Sequence, residues 1–169
     1  MKGEKKKLIR RISIDFHDIG ITVSATLLEE EEPELCNEFW NSLVKPVKMA
    51  CDHNLSTGDS FVARGRPPRH PVRVGSQANP RGRKQWLECR LSPGMLLYAG
   101  GYSIGMAYGP DMTEPLAGGG SVVAKVDKKD LNNLMKAGKS IWHAQSMTHR
   151  LAIITVSREG GKTYGKEME

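Results

Sequence analysis

Hydrophobic and polar residues alternate in two neighbouring stretches near the start of the chain. Residues 12–16 and 21–27 place apolar side chains at every second position, and the stretch 17–20 between them ends on a glycine. Because successive residues of a strand face opposite sides of a sheet, this pattern predicts a β-hairpin. Further short strands are predicted at 47–52, 59–63, 86–90, 95–98, 121–126 and 151–156.

Two other stretches repeat apolar residues three or four positions apart, as an amphipathic helix does. The first, 34–43, follows Pro33, and the second, 128–137, lies between Asp127 and Gly138. Proline at the start of a helix, aspartate at its N-cap and glycine just after its end are typical boundaries. About eight short strands and two helices predict a mainly β fold, a closed β-barrel capped by two helices.

The charge of the chain is concentrated in one place. The protein has 169 residues, enough for a single domain (1–169), and a formal net charge of +6. Between Arg64 and Lys84 there are seven basic side chains, four prolines and no carboxylate. We interpret residues 64–85 as a basic, proline-rich insert between strands, and residues 1–7 and 158–169 as frayed tails.

The basic insert does not have the composition of a nucleic-acid interface. Aromatic side chains on which bases could stack are absent between Arg64 and Lys84, and the remainder of the chain is close to neutral. The alternatives for the insert are a solvated loop and a flap that attracts anionic substrates. In the flap interpretation Arg64 and Arg66, nearest the strand end, bind the substrate.

The sequence offers no pattern for a metal, a nucleotide cofactor or a membrane. Its three cysteines are widely spaced, its five histidines lack ligand spacing, and no apolar run approaches 20 residues. Neither the glycine fingerprint of dinucleotide sites nor a phosphate-binding loop occurs. We expect a cytoplasmic protein with reduced thiols, no metal and no cofactor. The sequence leaves open whether the protein forms a homo-oligomer.

Three short motifs resemble one known family. They are His53-x-x-x-Thr57-Gly58-Asp59, then Pro93-Gly94-Met95-Leu96-Leu97-Tyr98-x-Gly100-Gly101, then Tyr108-Gly109. They resemble a bacterial family of small cyclophilin-like proteins of largely unassigned function, related to cucumopine synthase. The resemblance implies a cyclophilin-like barrel and the condensation of an amine with a carbonyl. The basic insert is longer than in that family, and cucumopine synthase has an additional helical part.

His53 and Glu88 are the principal candidates for acid–base catalysis. His53 ends a predicted strand, and a neutral imidazole is a natural proton shuttle that Asp59 would orient. The alternative is a histidine hydrogen-bonded to its own turn. Glu88 lies among apolar residues, where a carboxyl group could act as a general acid or base. The alternative is an outward carboxylate paired with Arg90 or Lys84.

The glycine-dense stretch 100–110 is predicted to be a loop that a ligand can approach. Tyr102 is the catalytic candidate here, and Tyr108 and Gly101 are candidates for substrate binding, because small residues expose backbone N–H groups. Thr57, in the turn before Asp59, is a further substrate-binding candidate. A flexible hairpin without a ligand is the alternative.

These residues favour a cofactor-independent enzyme that acts at a C–N bond of a small, carboxylate-bearing molecule. Condensation or cyclisation is one reaction, and the opening of a cyclic amide is the other. A barrel that binds a metabolite without converting it is the first alternative. Two further alternatives are peptidyl-prolyl isomerisation and nucleic-acid binding. The Phe-His-Arg segment of peptidyl-prolyl isomerases is absent from this sequence, and nucleic-acid binding would depend on the basic insert alone.

Overall fold

The computed structural model describes residues 9–55, 58–66, 82–84, 86–100, 102–113 and 120–160. In these residues eight antiparallel strands form a closed barrel in the order β1-β2-β7-β5-β6-β4-β3-β8. The mainly β fold predicted from the sequence is confirmed. The strands are β1 (Arg11–Phe16), β2 (Ile21–Leu27), β3 (Val47–His53), β4 (Gly58–Gly65), β5 (Met95–Gly100), β6 (Ser103–Met112), β7 (Ser121–Val126) and β8 (Ile153–Arg158).

The predicted hairpin and its alternation are present. In β1 and β2 every second residue is buried, and Ile14 pairs with Val23. Gly20 has a φ of 61°, the left-handed conformation that a glycine adopts at little cost. The apolar side of the alternation fills the barrel interior, to which all eight strands contribute.

Two helices close opposite ends of the barrel. Helix α1 (Pro33–Ser42) buries Phe39 against the ring of Tyr98, at the end where β8 finishes. Helix α2 (Leu131–Thr148) covers the other end, where the side chain of Gln145 brackets the backbone of His53. Within the described residues, no helix has the length and apolar character needed to cross a membrane.

Three elements differ from the sequence-based prediction. Residues 86–90 do not form a strand: Glu88–Arg90 is a short 3-10 turn, because Trp86 and Leu91 pack onto the outside of the barrel. The stretch 100–110 is not a loop, since most of it belongs to β6. One of its glycines, Gly109, is required by packing, because a Cβ atom there would lie 2.2 Å from the carboxylate of Asp59.

Helix α2 passes through Gly138 instead of stopping there. A Cβ atom at this position would lie 2.1 Å from the ring of Tyr108, so glycine is required by packing and not by helix termination. The helix ends at His149, whose φ of 55° is left-handed. The last strand is shifted as well, because β8 includes Arg158, which the sequence analysis placed in the terminal tail.

Candidate active site on the outer face of the barrel

A second apolar cluster lies on the outside of the barrel. The outward side chains of β5, β6 and β7 pack there against residues that precede β5, with Leu28 and Trp86 at the margin. The segment 86–92, called the covering segment below, therefore shields part of the outer face from water. The members of the cluster are Leu91, Met95, Leu97, Ala107, Met112 and Val122.

Between the covering segment and the sheet is a cavity of about 90 Å³. Its floor is formed by register partners of three neighbouring strands: Val62 pairs with Gly105, and Gly105 pairs with Leu97. Most of its lining is apolar, and four polar side chains are included. The lining residues are Asn54, Ser60, Phe61, Val62, Glu88, Leu91, Leu97, Ser103, Ile104, Gly105, Met106 and Met112.

Glu88 is the ionisable side chain among the described residues that line this cavity. It lies in the 3-10 turn of the covering segment, and its Oε2 atom is shielded from solvent. Two of the other polar side chains that line the cavity are joined to each other, because the amide of Asn54 donates to the hydroxyl of Ser60 at 2.6 Å. A carboxylate in a mostly apolar cavity whose lining also includes an amide and a hydroxyl is suited to accept a proton from a bound ligand.

A buried carboxylate that the sequence analysis did not single out holds the chain just before the covering segment. Glu32 is only 3% exposed and accepts hydrogen bonds from the backbone N–H groups of Arg83 and Lys84, at 2.7 to 2.9 Å. The hydroxyl of Ser121 donates to the carbonyl oxygen of Lys84 at 2.6 Å. Glu32 therefore fixes the position from which residues 86–92 pass over the cavity.

His53 lies at the end of the barrel under α2 and does not line the cavity. The residue is 6% exposed, with Nε2 2.7 Å from the Tyr108 hydroxyl and Nδ1 2.7 Å from the backbone oxygen of Asn54. This is the alternative considered from the sequence, a histidine bound to its own turn. Its link to the site is indirect, through Asn54, which lines the cavity.

From the sequence we expected Asp59 to orient His53. In the structure Asp59 does not orient it directly. The Oδ2 atom of Asp59 accepts from the backbone N–H of Asp111 at 3.1 Å, and Tyr108 occupies the position next to the imidazole. Burial raises the pKa of Tyr108 well above its usual range, and the negative charge of Asp59 is the second largest cause of this increase. The phenol therefore stays protonated and donates to His53.

Neither arginine candidate is among the residues that line the cavity, but Arg64 is next to one of them. Arg64 is the register partner of Ser103, which lines the cavity, and it follows Val62 by two positions, so it shares the outer face. Its Nη1 atom is 3.3 Å from Asp52 in an exposed ion pair. Such pairs contribute only about 0–1 kcal/mol, so a ligand carboxylate can replace Asp52 at little cost. Arg66 is exposed beyond the end of β4.

The remaining candidates are separated from the cavity or outside the described residues. Tyr102 has a φ of 56°, accepts from the N–H of Gly65 at 2.8 Å and packs against the barrel core, so it is a turn residue. Thr57 and Gly101 lie outside the residues that the structure describes. Among the residues described, no three metal-ligating side chains form a group.

Two solved structures share this fold. The structure of McbB in complex with tryptophan has a TM-score of 0.74 and 27% sequence identity, and the match covers 90% of this chain and 46% of McbB. The chain thus spans about half the length of McbB. The solution structure of the hypothetical protein AF2241 from Archaeoglobus fulgidus has a TM-score of 0.52 and 16% identity, covering 92% of this chain and 98% of that protein.

The two likenesses carry different weight. At 16% identity the similarity to AF2241 concerns the fold alone. The similarity to McbB is closer in both sequence and superposition, and that protein was solved with an amino acid bound. No protein-family model and no curated protein matches the sequence. The chain is therefore a small barrel related in structure to a protein that binds a small molecule.

Proposed function

We propose that the protein is a cofactor-independent enzyme in which Glu88 acts as general base and acid on a small amine that bears a carboxylate. The observation that carries this proposal is the position of Glu88 over the outer-face cavity, with Oε2 away from solvent. The similarity to McbB in complex with tryptophan supports an amino acid as the amine. The resemblance to the relatives of cucumopine synthase supports condensation with a carbonyl.

The reaction can be written with the residues of the cavity. Glu88 takes a proton from the substrate ammonium group, and the free amine then attacks the carbonyl carbon of a keto acid. The carbinolamine hydroxyl leaves as water after it receives the proton from Glu88, and a C=N bond forms. In this proposal Asn54 and Ser60, which line the cavity, hold the polar atoms of the intermediate, and the apolar floor excludes water.

Arg64 completes the proposed site as the group that attracts carboxylates. Its guanidinium lies on the same outer face as the cavity and makes an exposed ion pair with Asp52. A planar guanidinium binds a carboxylate through two parallel hydrogen bonds. Both the amino acid and the keto acid carry such a group.

A ligand screen followed by product analysis tests the proposal. Thermal shifts are measured with amino acids, keto acids, cyclic amides and short oligonucleotides at two salt concentrations, and mixtures of amine and keto acid are analysed by mass spectrometry. We expect stabilisation by amino acids and a product whose mass is that of the two reactants less water. Glu88→Gln should lower turnover about 100-fold or more.

The control for Glu88→Gln is Glu34→Gln, which changes an exposed carboxylate of α1. The control should keep wild-type turnover. Amino acids that bind without any product would indicate the alternative, a metabolite-binding barrel. Stabilisation by oligonucleotides alone, lost at high salt, would contradict the proposal.

A further inference from the structure

A group of polar side chains lies on the outer face of β1 and β8, two strands that are opposite β5 and β6 in the barrel order. Asp15 on β1 is the register partner of Thr155 on β8, and His17 follows Asp15 by two positions in the 3-10 turn after β1. Phe16 and Ile154, which alternate with them, belong to the buried core, so the three polar side chains share the outer face. The fold thus brings a carboxylate, an imidazole and a hydroxyl together.

The distances between these groups are those of a nucleophile, its base and a group that orients the base. The Nε2 atom of His17 lies 2.6 Å from Oγ1 of Thr155, and Nδ1 lies 3.2 Å from Oδ2 of Asp15. A carboxylate can only accept hydrogen bonds, so it favours the proton on Nδ1 and leaves Nε2 to accept from the hydroxyl. A hydroxyl within about 2.6–3.2 Å of a base that a third group orients is activated as a nucleophile.

Asp15 is itself held in place from the neighbouring strand. Its register partner on β2 is Thr22, whose hydroxyl donates to Oδ1 of Asp15 at 3.3 Å. The two carboxylate oxygens are thus divided between Thr22 and His17. The turn fixes the backbone of His17, because Gly20, in the left-handed conformation, donates its N–H to the carbonyl oxygen of His17 at 3.4 Å.

Lys48 adds a positive charge on the other side of Thr155. It is exposed and is the register partner of Thr155 on β3, and residues paired in this way have Cβ atoms about 4.5–5.5 Å apart. A flexible ammonium group at this distance can stabilise a negative oxygen that forms beside Thr155. The side chains of His17 and Asp15 are 41% and 43% exposed, so an acyl donor reaches them from solvent.

We infer that Thr155 is a nucleophile that accepts the acyl group of an activated ester, with His17 as its general base and Asp15 as the residue that positions His17. The hydroxyl proton of Thr155 passes to Nε2 of His17 while Oγ1 forms a bond to the ester carbonyl carbon. The bond to the leaving oxygen then breaks, and the proton on Nε2 moves to that oxygen, which departs as an alcohol or phenol. Water attacks the acyl-threonine, with His17 again as base, and releases a carboxylic acid.

Acetylation by p-nitrophenyl acetate tests the inference. The release of nitrophenol is followed by absorbance, and the acetylated residue is located by mass spectrometry of peptides. We expect an initial burst of nitrophenol stoichiometric with the protein and an acetyl group on Thr155. Thr155→Val and His17→Gln should each slow the burst about 100-fold, the usual contribution of a positioned base to such a step.

Three further variants keep the test decisive. Thr155→Ser retains the hydroxyl and should retain the burst. Ser146→Ala removes an exposed hydroxyl that donates to the backbone oxygen of Trp142, and His143→Gln removes an exposed imidazole of α2, so both should react as the wild type does. A burst that persists in Thr155→Val, or acetyl groups found on lysines alone, would overturn the inference.

The role of Asp15 has its own measurement, the tautomer of His17 observed by nitrogen NMR of the ring. In the wild type the proton of the neutral ring should lie on Nδ1. Asp15→Asn introduces an amide that can also donate, so it should move the proton toward Nε2 and slow the burst together. A wild-type ring protonated on Nε2, or a burst unchanged in Asp15→Asn, would mean that the three residues are a structural hydrogen-bond network.

Discussion

The Nε2 atom of His53 lies 2.7 Å from the hydroxyl oxygen of Tyr108, while Nδ1 lies 2.7 Å from the backbone oxygen of Asn54. A backbone oxygen can only accept, so Nδ1 carries the proton and Nε2 accepts from the phenol. Both ring nitrogens are thus satisfied by a neutral imidazole. Because Asn54 also lines the cavity, this buried pair holds one wall of the candidate site in place.

The pair predicts a pH dependence of stability. Burial lowers the pKa of His53, so the native state resists a proton that the unfolded chain accepts below about pH 6.5. The free energy of unfolding should therefore fall as the pH drops below about 6.5, by at most about 1.4 kcal/mol per pH unit, until the lowered pKa is reached. Urea unfolding between about pH 5 and pH 8 measures this change in stability. This range extends about 1.5 pH units on either side of the ordinary pKa of histidine.

Two variants assign that slope to His53. His53→Gln keeps an acceptor for Tyr108 but cannot take up the proton, so its unfolding free energy should vary less with pH in this range. His143→Gln changes an exposed histidine of α2 and serves as the control. A slope that persists in His53→Gln would show that another group is responsible.

Glu32 makes a second prediction, on the anchoring of the covering segment. Glu32→Gln replaces an acceptor of three backbone hydrogen bonds with an amide that can accept fewer, so residues 83 and 84 should be released. We expect an unfolding free energy lower by about 2 kcal/mol and faster trypsin cleavage after Arg83 and Lys84. Cleavage sites are identified by mass spectrometry.

Glu31→Gln is the matched control, because Glu31 is the exposed neighbour of Glu32. Its digestion pattern should equal that of the wild type. Unchanged cleavage in Glu32→Gln would mean that Ser121 and Trp86 suffice to hold this part of the chain.

The barrel could be predicted from the sequence because the residue patterns that indicate its strands and helices are local. Alternation in β1 and β2 and the helical spacing before Phe39 each follow from the period of one element. The errors came where burial is decided by distant residues. Gly138 has the sequence signature of a helix end, yet it is a packing position against Tyr108, 30 residues away in sequence.

The site was harder to predict because it is assembled on the outside of the barrel. Glu88 was proposed as an acid or base, but in a strand; its position over the cavity depends on the fixing of Arg83 and Lys84 by Glu32. In the sequence Glu32 is one of four consecutive glutamates, and nothing distinguishes it. Its burial is a property of the assembled barrel, which no single segment encodes.

The three cysteines should differ sharply in reactivity. Burial raises the pKa of Cys36 and of Cys51 to about 12, whereas Cys89 is exposed on the covering segment. Since the thiolate is the reacting form, a disulfide reagent should modify one thiol quickly in the native protein and all three after denaturation. Cys89→Ser should abolish the fast phase. A fast phase that remains in this variant would place a buried thiol in a part of the barrel that opens readily.

Arg64 provides the last prediction, the recognition of a carboxylate at the cavity edge. Arg64→Met keeps the apolar stem and removes the charge, so tryptophan should bind about tenfold more weakly, and less so at high salt. Tryptamine, which has the same ring and amine but no carboxylate, should bind to wild type and variant alike. Lys125→Met, an exposed cation on β7 away from the cavity, is the control for net charge. Equal weakening of tryptophan and tryptamine would mean that Arg64 shapes the cavity instead of binding the carboxylate.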